Sequence, residues 1–244
     1  MITVDDQKID LLNKWIDTSS STVFFGGAGV STESGIPDFR STDGLYNMKY
    51  KYPPEIIISH EFFYSETEEF YRFYREKLVA PDAKPNIAHI RLAELEAAGK
   101  VDAVITQNID GLHQMAGSKN VFELHGCVHR NYCVRCGELF DSQHIMQTYG
   151  VPYCRCGGVI KPDVVLYNEE LDDSVVRKAV NAIENAEMMI VGGTSLVVYP
   201  AAGLLQYFRG DKLVLINKSH TMIDDRCGIV FNEEIGSIFE KIKI

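Results

Sequence analysis

The stretch GGAGVSTESGIPDFR, residues 26–40, directly follows the apolar run 23–25 and decides how the rest of the chain is interpreted. Gly27 and Gly29 form a Gly-x-Gly turn after a predicted strand, and the small residues behind them would let a pyrophosphate approach backbone amides. A Gly-x-Gly turn alone is weak evidence, because glycine turns are common. The tail of the stretch, with Pro37 followed by aspartate and arginine, disfavours the ordinary helix expected after such a turn. An acidic residue ending a second strand about twenty positions on, as in an NAD dehydrogenase, is also missing.

The composition indicates a folded, acidic protein. The chain has 244 residues, 45% of them apolar, and its 24 basic and 34 acidic residues give a net charge of −10. Such a charge repels nucleic-acid phosphates. The first residues do not read as a signal peptide, and no run of about eighteen apolar residues follows. We therefore expect a cytoplasmic protein, monomeric, that binds neither nucleic acid nor membranes.

Short apolar runs bounded by polar turns predict the strands of a buried parallel sheet. These runs are 22–26, 101–106, 121–124, 188–193, 212–217 and 228–231. Helical patterns cover 4–17, a segment beginning at a Ser65 cap, the segment from Pro85 to Gly99, 172–186 and 200–208. This alternation is typical of a doubly wound α/β fold.

Residues 127–160 break the alternation and contain most of the cysteines. Cys133 and Cys136 form a Cys-x-x-Cys pair, Cys154 and Cys156 form a Cys-x-Cys pair, and a glycine follows each pair. Two such turns can close a tetrahedral zinc site, which would be structural because it leaves no coordination position open. Because the second spacing is tight, free or redox-active thiols stay open as the alternative.

Polar side chains follow several predicted strands at their carboxyl ends. They belong to TQNIDGLH (106–113), ELHGC (123–127), GGTSLVVYPAA (192–202) and LIN, which ends at Asn217. In an open parallel sheet, ligands bind at this edge. His125 stands at a strand end before a glycine, which makes it the candidate general base. We interpret the other histidines outside these motifs as structural, namely His60, His89, His129, His144 and His220.

Together these motifs resemble the sirtuins, NAD-dependent protein lysine deacylases, in their bacterial form. Matching stretches occur in the family's order over almost the whole chain: GAGVSTESGIPDFR, TQNIDGLH, the His-Gly at 125, the two cysteine pairs, KPDVVLYNE, GTSLVVYPAA and LIN. The resemblance implies a Rossmann-like domain and a smaller domain, with NAD and an acyl-lysine peptide meeting between them. The larger domain would comprise 1–40, 86–126 and 161–244, and the smaller one a helical module at 41–85 and a zinc module at 127–160.

The resemblance also implies a reaction in which NAD is consumed. The acyl oxygen attacks the ribose carbon as nicotinamide leaves, and the alkylamidate that forms is converted to free lysine and O-acetyl-ADP-ribose. His125 would act as base on a ribose hydroxyl, and Asn108 would hold ribose and an ordered water. Because the developing ribosyl cation reacts with water, a loop closing with Phe39 as an aromatic lid has a physical purpose.

The site residues implied by the resemblance form three groups. The cofactor would contact Gly27, Ala28, Gly29, Thr32, Asp38, Phe39, Arg40, Gln107, Asn108, Ile109, Asp110, His125, Gly193, Thr194, Ser195, Asn217 and Ile235. Within this set, Ile109 and Asp110 would hold the nicotinamide carboxamide. The backbone of Val165, Tyr167 and Asn168 would pair with an acetyl-lysine peptide as an added strand. The metal group is the four cysteines of the zinc module.

Three positions depart from the family's pattern. Gly26 stands where a hydroxyl residue is common, which predicts a looser turn and an altered cofactor affinity. Asn168 replaces a usual glycine, and asparagine tolerates a positive φ better than most residues. Relatives that remove dicarboxylic acyl groups carry a Tyr-x-x-Arg pair; Tyr71 matches the tyrosine as a substrate contact, but Tyr74 takes the place of the arginine. We therefore expect deacetylation over desuccinylation, unless a neighbouring arginine reaches the acyl pocket.

Three alternative functions stay open at this point. Two are enzymatic: removal of succinyl or longer acyl groups, and mono-ADP-ribosyl transfer from the same NAD-cleaving site. The third is a zinc module that binds NAD or ADP-ribose only as a sensor. The presence of both His125 and Asn108 argues against the sensor.

Overall fold

A computed structural model of the protein describes residues 4–38 and 51–244. The strands in this part of the chain are β1 (Thr22–Gly26), β2 (Ala103–Thr106), β3 (Val121–Glu123), β4 (Gly126–Cys133), β5 (Leu139–Asp141), β6 (Ile160–Val164), β7 (Met188–Gly192), β8 (Lys212–Ile216) and β9 (Ile229–Phe231). Six of them form a parallel sheet in the order β3-β2-β1-β7-β8-β9, and the other three form an antiparallel sheet in the order β5-β4-β6. The predicted parallel α/β sheet is confirmed.

The strand order places a topological switch point between β1 and β7. From β1 the chain proceeds outward to β2 and β3, whereas from β7 it proceeds in the other direction to β8 and β9. Gly26 at the end of β1 is in register with Thr106 of β2 and with Gly192 of β7. The loops that leave these three strands therefore begin at the same edge of the sheet, where ligands bind in open α/β folds.

Helices cover both faces of the parallel sheet. The α-helices of the described residues are α1 (Val4–Thr18), α2 (Pro54–Ile57), α3 (His60–Ser65), α4 (Thr67–Phe73), α5 (Ile87–Ala97), α6 (Leu112–Ala116), α7 (Ser142–Gln147), α8 (Asp173–Asn185) and α9 (Ile235–Phe239). α1, α5 and α9 pack around Phe24 on one face, and α8 packs near Phe25 on the other. Among the described residues, no helix has both the length and the apolar character needed to cross a membrane.

A third apolar core lies outside the parallel sheet. It joins Phe63 and Phe70, from α3 and α4, to Val128 and Ile160 of the antiparallel sheet. The helical segment and the cysteine-bearing segment therefore share one core, although the sequence separates them. The antiparallel sheet ends at Val164, so its last strand runs directly into the segment predicted to bind a peptide.

Two predicted helices differ from those in the structure. Ser65 ends α3 instead of capping the next helix, and Ser59 caps α3 by accepting the Phe62 N–H at 3.3 Å. The segment predicted as a helix over 200–208 is a 3₁₀ helix at Ala201–Tyr207. Gly203 lies in the middle of that segment, and glycine disfavours a regular α-helix.

Gly26 and Asn168, the two backbone departures, each have a local structural reason. A Cβ on Gly26 would lie 2.6 Å from Cε1 of the fully buried Phe24 ring and 3.2 Å from Cγ2 of Val30. A hydroxyl residue at position 26 would therefore force core side chains to move. Asn168 has a φ of +68°, which confirms that asparagine adopts the left-handed turn expected of it.

Candidate active site

Two glycine turns meet backbone to backbone at the switch point. The Gly29 N–H donates to the Gly193 oxygen at 2.8 Å, and the Gly27 N–H donates to the Gly192 oxygen at 3.2 Å. A Cβ on Gly29 would lie 2.8 Å from Gly193 Cα, and a Cβ on Gly27 would lie 2.7 Å from Thr194 Cβ. Any larger residue would push the two turns apart. The result is a crevice lined by backbone groups, which suits the close approach of a pyrophosphate.

The loop after β2 is tied to both glycine turns by side-chain hydrogen bonds. Asn108 Nδ2 donates to Ser31 Oγ at 3.0 Å, and the Ser31 hydroxyl donates to Asp110 Oδ2 at 2.7 Å. On the other side, Gln107 Nε2 donates to Thr194 Oγ1 at 3.1 Å. The three predicted polar residues of this loop are therefore fixed relative to the crevice. Ser31, expected only as one of the small residues behind the glycine turn, connects two of them.

The start of α5 supports this network from the interior. Asn86 Nδ2 donates to the Val30 oxygen at 2.7 Å, while its side-chain oxygen accepts the Ala88 N–H at 3.0 Å and caps α5. His89 Nε2 lies 3.4 Å from Ser31 Oγ, and burial lowers the pKa of His89 to about 4. The ring is consequently neutral at pH 7 and acts as a hydrogen-bonding group. The structural interpretation of His89 fits this position.

His125 is oriented by the backbone of the neighbouring strand end. Its Nδ1 atom lies 2.9 Å from the Gln107 oxygen. Because a carbonyl oxygen only accepts, the proton of the neutral ring is on Nδ1 and the lone pair is on Nε2. Burial lowers the pKa of His125, and this effect outweighs the hydrogen bond to Gln107, which acts in the opposite direction. At neutral pH the ring is therefore unprotonated at Nε2 and competent to accept a proton.

One cavity of about 840 Å³ brings most of the predicted residues together. Those that line it are Gly27, Ala28, Gly29, Thr32, Asp38, Gln107, Asn108, Ile109, Asp110, His125, Val165, Tyr167, Asn168, Gly193, Thr194, Ser195, Asn217 and Ile235. Phe39 and Arg40 lie outside the described residues. The cavity thus extends from the glycine crevice past His125 to the predicted peptide segment.

The predicted peptide segment is already paired along one side. The Tyr167 N–H donates to the Ile58 oxygen and the His60 N–H donates to the Tyr167 oxygen, both at 2.9 Å. The Val165 N–H donates to the His125 oxygen at 3.0 Å. These bonds hold the segment extended next to the catalytic candidate, and they occupy backbone groups of Tyr167 that were predicted to pair with a peptide.

A cluster of charged side chains that the sequence reasoning missed holds the turn of this segment. Lys161 Nζ, whose side chain is 5% exposed, lies 2.9 Å from Glu169 Oε2, and that oxygen also accepts the Leu166 N–H at 2.9 Å. His60 Nδ1 lies 2.9 Å from Glu169 Oε1. Burial alone would raise the pKa of Glu169, but the Leu166 N–H, His60 and Lys161 together lower it. The only sequence signal was a lysine and a glutamate flanking an apolar run.

Tyr71, predicted as a substrate contact, does not line the cavity. Its ring is fully buried in the third core, and its hydroxyl donates to the Ile160 oxygen. Arg75 lies over that ring at 5.0 Å and donates to the oxygens of Ile145 and Gly150 at 2.9 and 2.6 Å. The tyrosine therefore packs in the core, and carbonyl oxygens of the cysteine-bearing segment hold the Arg75 guanidinium.

The four cysteine sulfurs of the predicted metal group converge. All lie within 4.8 Å of one another, with Sγ–Sγ distances of 3.4 Å for Cys133 and Cys156 and 3.6 Å for Cys136 and Cys154. Tetrahedral zinc with bonds of about 2.3 Å requires sulfurs about 3.8 Å apart, so the spacing fits. A Cβ on Gly158 would lie 2.7 Å from Cys133 Sγ, which explains the second of the two glycines that follow Cys156. The Cys-x-Cys turn is therefore compatible with a structural zinc site.

The crevice, the neutral buried histidine and the four-cysteine site define a nucleotide-binding α/β enzyme with a zinc module. The family model described as "Sir2 family" matches residues 27–200. The chain is 58% identical over 239 residues to the NAD-dependent protein deacetylase of Clostridium acetobutylicum, covering 96% of this chain and 98% of that protein. It is 59% identical over 241 residues to the protein of the same name from Clostridium perfringens, covering 97% and 99%.

Solved structures give the same assignment. The structure titled "Sir2-p53 peptide-NAD+" has a TM-score of 0.85 and 41% identity, and the alignment covers 96% of each chain. The structure titled "Sir2 bound to acetylated peptide" also has a TM-score of 0.85, with 40% identity and 96% of each chain covered. This chain belongs to the Sir2 family.

Removing one cysteine tests the metal site. We expect the wild-type protein to contain one zinc ion per chain and Cys136→Ser to lose it, because three thiolates no longer fill the tetrahedron. Metal analysis of the dialysed proteins measures this, and thermal unfolding should show a lower melting temperature for the variant. Cys227→Ser is the matched control, since Cys227 lies outside the cluster. Wild-type protein without zinc, or a Cys136→Ser variant that keeps it, would contradict the assignment.

Proposed function

We propose that this protein is an NAD-dependent protein lysine deacetylase that cleaves NAD to nicotinamide and O-acetyl-ADP-ribose and releases unmodified lysine. The observation that carries the proposal is the position of His125. Its Nε2 lone pair is kept available by the Nδ1 bond to Gln107, in the same cavity as the glycine crevice and the peptide segment. The names of the relatives support the same activity.

The glycine crevice would hold the phosphates of NAD. Backbone groups of Gly27, Ala28 and Gly29 face those that follow β7, where Thr194 and Ser195 also line the cavity. Asn217, at the end of β8, would contact the adenosine ribose, and Ile235, at the start of α9, would lie near the adenine. When bound, NAD supplies the electrophilic ribose carbon and the acceptor of the acyl group. Gly27 and Gly29 fit this role because a Cβ on either would collide with Thr194 or Gly193 and push the two turns apart.

The β2 loop would hold the other end of the cofactor. The amide nitrogen of Asn108 donates to Ser31. Its side-chain oxygen would therefore accept a hydrogen bond from the ribose or from an ordered water. Ile109 and Asp110 would bind the nicotinamide carboxamide, and the bond from Ser31 fixes the Asp110 carboxylate for that task. Asp38, Phe39 and Arg40 are proposed to close over the ribose and exclude water.

His125 would act as the general base. Its Nε2 atom takes the proton of a ribose hydroxyl, which makes that oxygen a nucleophile toward the acyl carbon. The Nδ1 proton stays on the ring and is donated to the Gln107 oxygen, so the imidazolium that forms keeps a hydrogen-bond acceptor. The buried position keeps the ring neutral before the step, and the pKa is lowered in the direction that a base working at neutral pH needs.

The peptide would add as a strand beside residues 165–168. The Tyr167 backbone pairs with Ile58 and His60, and the Val165 N–H donates to the His125 oxygen. We therefore propose that the Val165 carbonyl and the Asn168 backbone pair with the peptide and that Tyr167 contributes its side chain. The ion pair between Lys161 and Glu169 would stabilise the turn that ends this segment. Main-chain pairing reads little side-chain sequence, so we expect several acetyl-lysine proteins to be substrates.

We further propose the two-domain division at 1–40, 86–126 and 161–244 against 41–85 and 127–160. The shared core of Phe63, Phe70, Val128 and Ile160 supports a small domain made of both modules. A cytoplasmic location is proposed because cysteines bind zinc more readily where disulfides do not form. We propose a monomer because one chain lines the whole cavity, and no nucleic-acid partner because the net charge is −10.

The test of the proposed function is product analysis with an active-site variant. Incubation of the wild-type protein with NAD and an acetyl-lysine peptide should give nicotinamide, O-acetyl-ADP-ribose and free lysine by mass spectrometry. His125→Ala should fold and bind NAD but lose at least about a hundredfold in deacetylation, the usual size of a general-base contribution. His144→Ala, an exposed histidine of α7, is the control and should keep wild-type turnover.

Two other results would change the assignment. Near-wild-type turnover by His125→Ala would show that the proposed base is wrong. Transfer of labelled ADP-ribose to protein without deacylation would favour the transferase, and NAD binding without any turnover would favour the sensor.

The acyl preference follows from the positions of Tyr71 and the nearby arginines. Tyr71 is buried away from the cavity, Arg75 is bound to two carbonyl oxygens, and Arg72 is exposed and paired with Glu69. We expect kcat/KM for a succinyl peptide to be at least about tenfold below that for the matched acetyl peptide, because a succinate carboxylate would enter without its charge-assisted hydrogen bonds. Steady-state kinetics on acetyl, propionyl and succinyl forms of one peptide measure this. Faster desuccinylation would refute the preference.

A further inference from the structure

The zinc-bearing sheet reaches the loop after β2 through His129, a residue of β4. His129 Nε2 lies 3.0 Å from the backbone oxygen of Asp110, and Nδ1 lies 3.3 Å from Ser142 Oγ. Because the carbonyl only accepts, Nε2 carries the proton, and Nδ1 of the neutral ring accepts the Ser142 hydroxyl. The imidazole therefore connects the start of α7 to the backbone of Asp110.

Gly111 provides the space for this contact. A Cβ at that position would lie 2.7 Å from His129 Cδ2 and 3.0 Å from its Nε2 atom. Gly111 also has a φ of +73°, a conformation that residues with a side chain rarely adopt. The absence of a side chain at Gly111 therefore leaves room for the His129 ring.

The Asp110 side chain is held from the opposite direction. Its Oδ2 atom accepts the Ser31 hydroxyl at 2.7 Å, and its Oδ1 atom accepts the Leu112 N–H at 2.9 Å. Next to it, the Val128 N–H donates to the Ile109 oxygen at 2.9 Å. The carboxylate is thus held by two donors, and His129 adds a separate bond to the backbone oxygen of the same residue.

We propose that His129 is a positioning residue for the nicotinamide end of the site, which it influences through the backbone of Asp110 without touching the substrate. This inference rests on the proposed function, in which Ile109 and Asp110 hold the nicotinamide carboxamide. The contact between His129 and Asp110 makes the affinity for nicotinamide depend on a residue of the zinc module, whereas the affinity for the peptide does not depend on it. The peptide segment at 165–168 is held by other contacts, to Ile58 and His60.

The test compares His129→Ala and His129→Gln with the wild-type enzyme. We measure the inhibition constant of nicotinamide, the exchange of labelled nicotinamide into NAD, and KM for an acetyl peptide. His129→Ala should weaken nicotinamide inhibition about three- to tenfold, the effect of losing one net hydrogen bond. The peptide KM should stay within about twofold, since that segment keeps its own hydrogen bonds. His129→Gln should restore the inhibition constant, because its amide can donate to the same oxygen.

His144→Ala is the control within the same module and should match the wild type in all three measurements. An unchanged nicotinamide inhibition constant in folded, zinc-containing His129→Ala would overturn the inference. So would equal losses in nicotinamide and peptide affinity that His129→Gln does not restore, because these indicate a general structural effect. A wild-type protein that deacetylates nothing would instead overturn the proposed function, so the two failures are distinguishable.

Discussion

The contact between Gly29 and Gly193 is the constraint on which the rest of the site depends. It joins the turn after β1 to the turn after β7, the two strands from which the chain proceeds outward in opposite directions. With no side chain at either glycine, the backbones approach to hydrogen-bonding distance, and both glycines line the cavity. The loops after β2 and β8 begin at the same edge, so their polar residues lie next to the cavity.

Around this contact, backbone atoms hold two of the main groups of the site. His125 is oriented by the Gln107 carbonyl, and the peptide segment is held by the backbones of Ile58 and His60, whereas the Ser31 hydroxyl holds the loop after β2. Backbone partners do not change protonation state with pH, so the orientation of the proposed base is preserved while its own ring titrates. Rigid positioning of this kind is the main way in which an enzyme lowers the cost of reaching its transition state.

Local patterns in the sequence predicted the parallel sheet, the zinc cysteines and the polar groups at the strand ends, whereas most of the individual site residues came from the resemblance to the sirtuins. Strand runs, glycine turns and cysteine spacing are all visible within about ten residues. The sequence did not predict the role of Ser31, whose partners lie far along the chain, or the pairing of Lys161 with Glu169. It made Tyr71 a substrate contact, although the buried hydroxyl donates to the Ile160 oxygen. These contacts depend on which side of an element faces which neighbour, and a one-residue change in helix phase turns a side chain by about 100°.

Titration of Gly193→Ala with NAD in a calorimeter tests the central claim most directly. Gly193 has a φ of +57°, and a Cβ there would meet the Val30 nitrogen and lie 2.6 Å from the Gly29 carbonyl carbon. Gly203→Ala, whose Cβ would make only ordinary contacts at 3.6 Å, is the matched control. With both variants folded, we expect Gly193→Ala to bind NAD at least about tenfold more weakly than Gly203→Ala, which should match the wild type. Wild-type NAD affinity in folded Gly193→Ala would contradict the claim that this backbone contact forms the cofactor site.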